Sequence, residues 1–317
     1  MRLLAVFAAV FFLSFALFAQ TSTTQLPKRT SKRPQKAAPQ VRDALADTDD
    51  EEDESEDGEG EETERPWAAV FQSFNEVQSG SLNRREFSES GDALMLNMVG
   101  FDYRIFSSVK VGAAQEWETT MGLGENRAQN RLLDTYVQLK DEAFFKLGNV
   151  EAKSHLRFYL PSGEESREIE QILRVRYELA LERELRRFTV RYILRPEYHF
   201  QKYLAFYDSA TESVAGTPGL KLWNLAELEY RISEKLKIRQ ALGVADTWFN
   251  GDSNYDLSAK RSEDFISETG LNWEATDNLA FEVGIYEWAP DLLAQDRAFS
   301  LYRDDEANYF LYTELAF

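Results

Sequence analysis

From Trp67 to the last residue, apolar and polar side chains alternate with period two over stretches of about ten residues, and no helical repeat of 3.6 persists. The alternation predicts strands over residues 69–79, 93–105, 108–119, 130–140, 144–160, 168–182, 187–204, 220–232, 236–249, 264–275, 279–288 and 308–317. In the sixth, Leu173, Val175, Tyr177, Leu179 and Leu181 oppose Arg174, Arg176 and Glu178. In the seventh, Phe188, Val190, Tyr192, Leu194 and Tyr198 oppose Thr189, Arg191, Arg195, Glu197 and His199. Pro196 removes a ladder donor from that strand, which predicts a bulge or a boundary position. Asn224 and Gln240 fall on the apolar face, and Leu94, Met95, Leu96 and Met98 populate both faces of the second strand. Tight connections near residues 106–108, 141–142, 183–186, 233–235 and 276–278 alternate with long polar ones at 81–92, 120–129, 161–167, 207–219, 250–263 and 289–307.

The last ten residues read Asn-Tyr-Phe-Leu-Tyr-Thr-Glu-Leu-Ala-Phe. Tyr309, Leu311, Thr313, Leu315 and Phe317 make an uncharged face, while Phe310, Tyr312, Glu314 and Ala316 make a mixed one. This segment resembles the closing strand of Gram-negative outer-membrane β-barrels of the porin-like class, which end in Phe after alternating apolar residues. The resemblance implies that Tyr309, Leu311, Leu315 and Phe317 are the signal read by the barrel-assembly machinery. It also implies outer-membrane lipid and lipopolysaccharide as surroundings. Short turns on one side and long loops on the other fit that class, as does an even strand count with both ends of the barrel on the turn side. The expected fold is all-β, a closed antiparallel transmembrane barrel of about twelve strands, because backbone groups in lipid tolerate no open edge. A soluble β-sandwich would alternate too, but with strands of about 5–6 residues. Trp117, Tyr159, Tyr192, Tyr203, Trp223, Tyr230, Trp248, Trp273, Tyr286, Trp288 and Tyr309 sit where interfacial girdles are expected.

Before the strands, residues 1–19 carry a basic start at Arg2, an apolar run and a small-residue site at Ala19, which reads as a secretory signal peptide. Residues 20–66 are polar and basic, then acidic from Asp47 to Glu64, and are expected to be a disordered periplasmic tail. The stretch from Asp47 to Glu64 holds 13 acids and no base, but residues 67–317 hold 41 acids against 28 bases, so the barrel itself carries most of the net charge of -19. The tail reads first as a solvated spacer; divalent-cation buffering near lipopolysaccharide and docking to a basic partner are its functional alternatives. There is no cysteine, which excludes disulfides, thiol catalysis and a lipid-anchored N-terminus.

With the apolar set facing lipid, the charged set faces the lumen. Lys153, Arg157, Arg174, Arg176, Arg191 and Arg195 cluster on predicted strands five to seven, followed by Glu197 and His199. Glu227, Glu229, Glu268, Glu282 and Glu314 lie on the later strands. These thirteen positions are the candidate pore-lining residues. Two arrangements are open: walls of opposite sign facing across water, as in selective pores, or Arg and Glu pairing directly and filling a lumen of intermediate width. The first implies passive permeation of small hydrophilic solutes through a narrow, charge-lined channel. The second implies a non-conducting structural or surface-interaction barrel.

An outer-membrane hydrolase is the remaining alternative. Only His155 and His199 are available, and both are expected inside. The outer-membrane phospholipase family has a Ser-His-Asn set with His and Ser two apart on the lipid face; here Ser154 and His155 are adjacent, and Phe200-Gln201 follows His199. Asp208 and Glu212 after His199 resemble the rim acids of outer-membrane aspartyl-type proteases only loosely. No metal-ligand spacing, phosphate loop or nucleotide fingerprint appears, so no catalytic residue, metal, cofactor or nucleic-acid partner is assigned. Asp304-Asp305-Glu306 are read as solvated loop carboxylates.

Overall fold

A computed structural model describes residues 66–78, 93–121, 129–208, 213–252, 257–290 and 307–317. The signal peptide, the acidic tail, the loop 81–92, Glu212, the carboxylates 304–306 and the central parts of four other long connections lie outside the described residues. Twelve strands close into one barrel: β1 (Trp67–Gln78), β2 (Ala93–Arg104), β3 (Val109–Met121), β4 (Gln129–Leu147), β5 (Val150–Leu160), β6 (Gln171–Leu185), β7 (Phe188–Gln201), β10 (Pro218–Ser233), β11 (Leu236–Phe249), β12 (Lys260–Thr276), β13 (Leu279–Pro290) and β14 (Asn308–Ala316). Each pairs antiparallel with its neighbour, and β14 returns to β1, so the all-β closed barrel expected from the alternation is present. A short helix α1 (Glu164–Glu168) lies between β5 and β6. Two further strands, β8 (Ala205–Asp208) and β9 (Ser213–Gly216), form a separate two-stranded sheet that starts two residues before the stretch read as loop 207–219.

Closure depends on β14. Gln72 pairs with Glu314, Phe74 with Tyr312 and Glu76 with Phe310. The backbone amide of Phe317 donates to the Ala69 carbonyl at 2.8 Å, so the ladder runs to the last residue. Tyr309 and Leu311 are exposed on the outer face while Phe310, Tyr312 and Glu314 are buried inside, the parity expected of this segment. Along β7 the same rule puts Phe188, Val190, Tyr192 and Tyr198 outside and Ile193, Arg195 and Glu197 inside. Pro196 makes no bulge. It sits on the outer face opposite Leu222, and the register with β10 runs without a shift from Tyr198 to Phe188.

The tight turns all lie at the end of the barrel that holds Trp67 and Phe317. One is displaced from its expected place. β4 does not stop at residues 141–142; Glu142 N donates to the Ser108 carbonyl at 2.9 Å and the chain continues to Leu147. It reverses instead at Gly148, whose φ is +61°, a conformation that glycine takes without steric cost. The alternation breaks at Asp141 because residues 142–144 oppose the single Lys153 there, an irregularity that looks like a turn in a one-dimensional pattern.

The interior is less purely ionic than the alternation implies. Phe74, Leu96, Tyr286, Phe310 and Tyr312 form one apolar cluster, Met98, Ala114, Tyr136 and Tyr159 a second, and Trp223, Ala245 and Ile266 a third. Tyr159, Trp223, Tyr286 and Trp288, expected in the outer girdles, share faces with inward neighbours and point into the barrel. Their parity with Arg157, Glu227 and Glu282 places them there. The outer position of Asn224 and Gln240 is real. Asn224 accepts from the Tyr192 hydroxyl at 3.0 Å, and Gln240 accepts from Thr269 at 2.5 Å, which reduces the cost of polar groups on an apolar wall.

Candidate functional site

Strand parity brings the charged side chains of β5, β6, β7 and β10 to β14 onto one inner wall, where they meet directly. Low in the barrel, near the tight turns, Arg191 reaches Glu182 at 2.5 Å and Glu227 at 3.4 Å. Lys153 lies 3.6 Å from Glu182. Arg239 is shared by three carboxylates: Glu227 at 3.0 Å, Glu282 at 3.2 Å and Glu268. Lys237 contacts Glu274 at 2.9 Å and Glu229 at 3.7 Å. Glu314 instead accepts from Gln72 at 2.9 Å and from the Tyr312 hydroxyl at 2.5 Å.

Higher up, the pairs are almost dry. Arg176 Nε donates to Glu197 at 2.6 Å, with Arg174 at 3.8 Å and His199 at 3.0 Å from the same carboxylate. Arg195 pairs with Glu178 at 2.6 Å. Arg157 donates to the Tyr159 hydroxyl at 3.2 Å and lies over the Tyr136 ring, while Arg174 and Arg176 lie over Tyr159. Such cation–π contacts replace part of the hydration each guanidinium loses. Glu197 and Arg157 are each 2% exposed and Tyr159 is fully buried, so this layer packs like a core.

Glycines on the inner face explain how side chains two strands apart meet. A Cβ on Gly270 of β12 would lie 1.7 Å from Glu282 Oε1, so only hydrogen there lets Glu282 of β13 reach Arg239 of β11. Gly112 of β3 plays the same part beneath Asp102 of β2, which accepts from Gln138 of β4 at 2.7 Å and pairs with Lys140 at 2.8 Å.

The opposed walls of single sign are not what the structure shows. Glu178, Glu182 and Glu197 are interleaved with the arginines of β6 and β7, and Arg239 sits among the glutamates of β10, β12 and β13. All thirteen candidate positions face the interior, and most are in direct ion pairs, some with one another and the rest with Glu178, Glu182, Lys237 or Arg239. The sequence reading placed Arg239 inward with Lys237, as a break in the acidic wall, but passed over Glu182, Lys221 and Asp134. Parity with Arg176, Trp223 and Tyr136 was the signal for them; at Asp134 a bulge, with Leu133 and Asp134 opposite Glu116, hid it.

Asp134 fastens the α1 segment to the inner wall. It accepts from the Gly163 amide at 3.0 Å, the Ser166 hydroxyl at 2.6 Å and Gln171 at 3.2 Å, and lies 3.8 Å from Arg174. The connection between β5 and β6 is therefore tied to the wall near Arg174 and His199.

The histidines are held in this network. His155 Nε2 lies between Gln138 Oε1 at 2.9 Å and Arg157 Nε at 3.1 Å. Ser154 and His155, adjacent in β5, point to opposite faces of the sheet. Among the described residues, no group of three or more His, Asp or Glu is placed to hold a metal ion.

No family model and no curated protein sequence matches the chain. Solved structures do. An outer-membrane channel from Pseudomonas putida F1 superposes with a TM-score of 0.52 at 11% identity, over 80% of this chain and 96% of that one. The KdgM porin gives 0.44 at 11% identity over 78% and 99%, and the NanC porin 0.42 at 9% over 78% and 98%. At these identities the likeness concerns the fold, and the fold is that of the outer-membrane β-barrels of the porin-like class.

Proposed function

We propose that the protein is a Gram-negative outer-membrane channel, its tail periplasmic, through which small hydrophilic solutes permeate passively by a narrow, charge-lined lumen. The observation that carries this reading is the ladder of ionisable side chains along the inner wall of a closed barrel, from Lys237 and Glu229 near the turns to Arg174 and His199 near the mouth. A wall of fixed charges offers a polar solute replacement for its hydration shell. Outer-membrane lipid, lipopolysaccharide and the assembly machinery are the partners this reading entails, with Tyr309, Leu311, Leu315 and Phe317 as the assembly signal and no enzymatic activity.

The second reading, a non-conducting structural barrel, is favoured by one specific observation, the dry layer of Arg157, Arg176, Glu178, Arg195 and Glu197 at mid-height. Conductance of the purified protein in planar bilayers separates the two. A channel gives discrete steps whose size rises when Arg176 and Glu197 are both replaced by Ala, because that removes two large side chains from the dry layer. Absence of steps in both proteins, with the barrel folded, assigns the structural role.

A further inference from the structure

Lys221 differs from the lumen cations around it. It projects from β10 and is 8% exposed, yet among the described residues no carboxylate lies within ion-pair distance of its ammonium. Its nearest company is the Trp223 ring, 4.3 Å from Nζ to the centroid, and the Trp288 ring at 5.1 Å. Glu197 is its cross-strand neighbour on β7, but that carboxylate is taken by Arg176, Arg174 and His199. Asp264 on β12 is the other negative charge in reach, and Arg174 and Arg176 add positive charge.

Two further donors go unused nearby on the same wall. The indole Nε1 of Trp223, a residue 3% exposed, is buried without a hydrogen-bond partner, and so is Nε of Arg174. A buried donor without an acceptor carries a desolvation cost that an incoming acceptor would remove. The surplus here is of unpartnered donors.

We propose that the wall around Lys221, Trp223 and Trp288 is an anion subsite of the lumen that takes a small carboxylate. The carboxylate accepts from the Lys221 ammonium, and its hydrocarbon part lies against the indoles. This rests on the channel reading only in so far as solute must reach the mid-lumen; binding itself requires no through-passage.

The test is tryptophan fluorescence of the folded barrel in detergent micelles, titrated with sodium propionate at ionic strength held by sodium chloride. A saturable change with a dissociation constant on the order of millimolar is expected, and propionamide should give none. Lys221→Met should weaken propionate roughly tenfold or more, as loss of a charged hydrogen bond does. Lys221→Arg should keep it, and Lys146→Met, at an exposed turn, should leave it unchanged. No saturation by wild-type protein, equal response to propionamide, or unaltered affinity in a folded Lys221→Met barrel overturns the subsite. The propionate and propionamide comparison uses wild-type protein alone, so it holds even if a variant fails to fold. Conductance without propionate binding refutes the subsite and leaves the channel; binding without conductance does the reverse.

Discussion

Glu197 is where the interior converges: one carboxylate, 2% exposed, meets Arg176, Arg174 and His199. A charge taken this far out of water is tolerated because each partner neutralises the other, and removing one partner strands the rest. Glu197→Gln is therefore expected to lower stability by roughly 3 kcal/mol. Replacing both partners, Arg176→Met with Glu197→Leu, should cost less than the single change, since the closest guanidinium goes with the carboxylate and Arg174 keeps Asp134 at 3.8 Å. Urea unfolding in lipid vesicles, followed by fluorescence, measures both; a double variant less stable than the single one would show that Glu197 is not the hub. Parity made the inward face of Arg176, Arg195 and Glu197 legible from sequence alone. Their partners were not legible. Which acid meets which base depends on reach across the sheet, and that is set by residues such as Gly270 and Gly112 that carry no charge to notice.

At the level of elements, long strands with strict alternation were readable because a slip of one residue would move every apolar side chain to the wrong face. Where β4 bulges, the one-dimensional signal failed, and the expected turn at 141–142 was a local irregularity in a continuing strand. The turn that does occur uses Gly148, whereas the β6–β7 hairpin reverses through Arg186 at φ +59°, a left-handed conformation awkward for a residue with a Cβ. Two-residue hairpins favour glycine at such positions. Arg186→Gly is expected to stabilise the barrel by up to about 1 kcal/mol, the relief of strain being partly offset by the greater freedom of the unfolded chain. A raised urea midpoint with unchanged conductance checks this. A lowered midpoint would mean that the Arg186 side chain contributes more than its backbone costs.

For the whole molecule, the consequence of interleaved charge is that no wall of single sign sets the field; the balance around each constriction does. Near the turns, Arg239 is held by Glu227, Glu268 and Glu282, while Glu229 lies beside Lys237. Replacing Glu227, Glu229 and Glu268 by Gln removes three negative charges and leaves Arg191, Lys237 and Arg239 only partly compensated. If the channel conducts, its preference between potassium and chloride should move toward chloride, read as a reversal potential across a salt gradient. The shift must depend on ionic strength, because the Debye length falls from about 10 Å at 0.1 M to about 3 Å at 1 M. A clear displacement in dilute salt that shrinks in concentrated salt is the expected pattern. An identical reversal potential in wild-type and variant protein at low salt would mean that permeating ions never come within a Debye length of these carboxylates, and the conducting path would have to be sought away from β10 to β13.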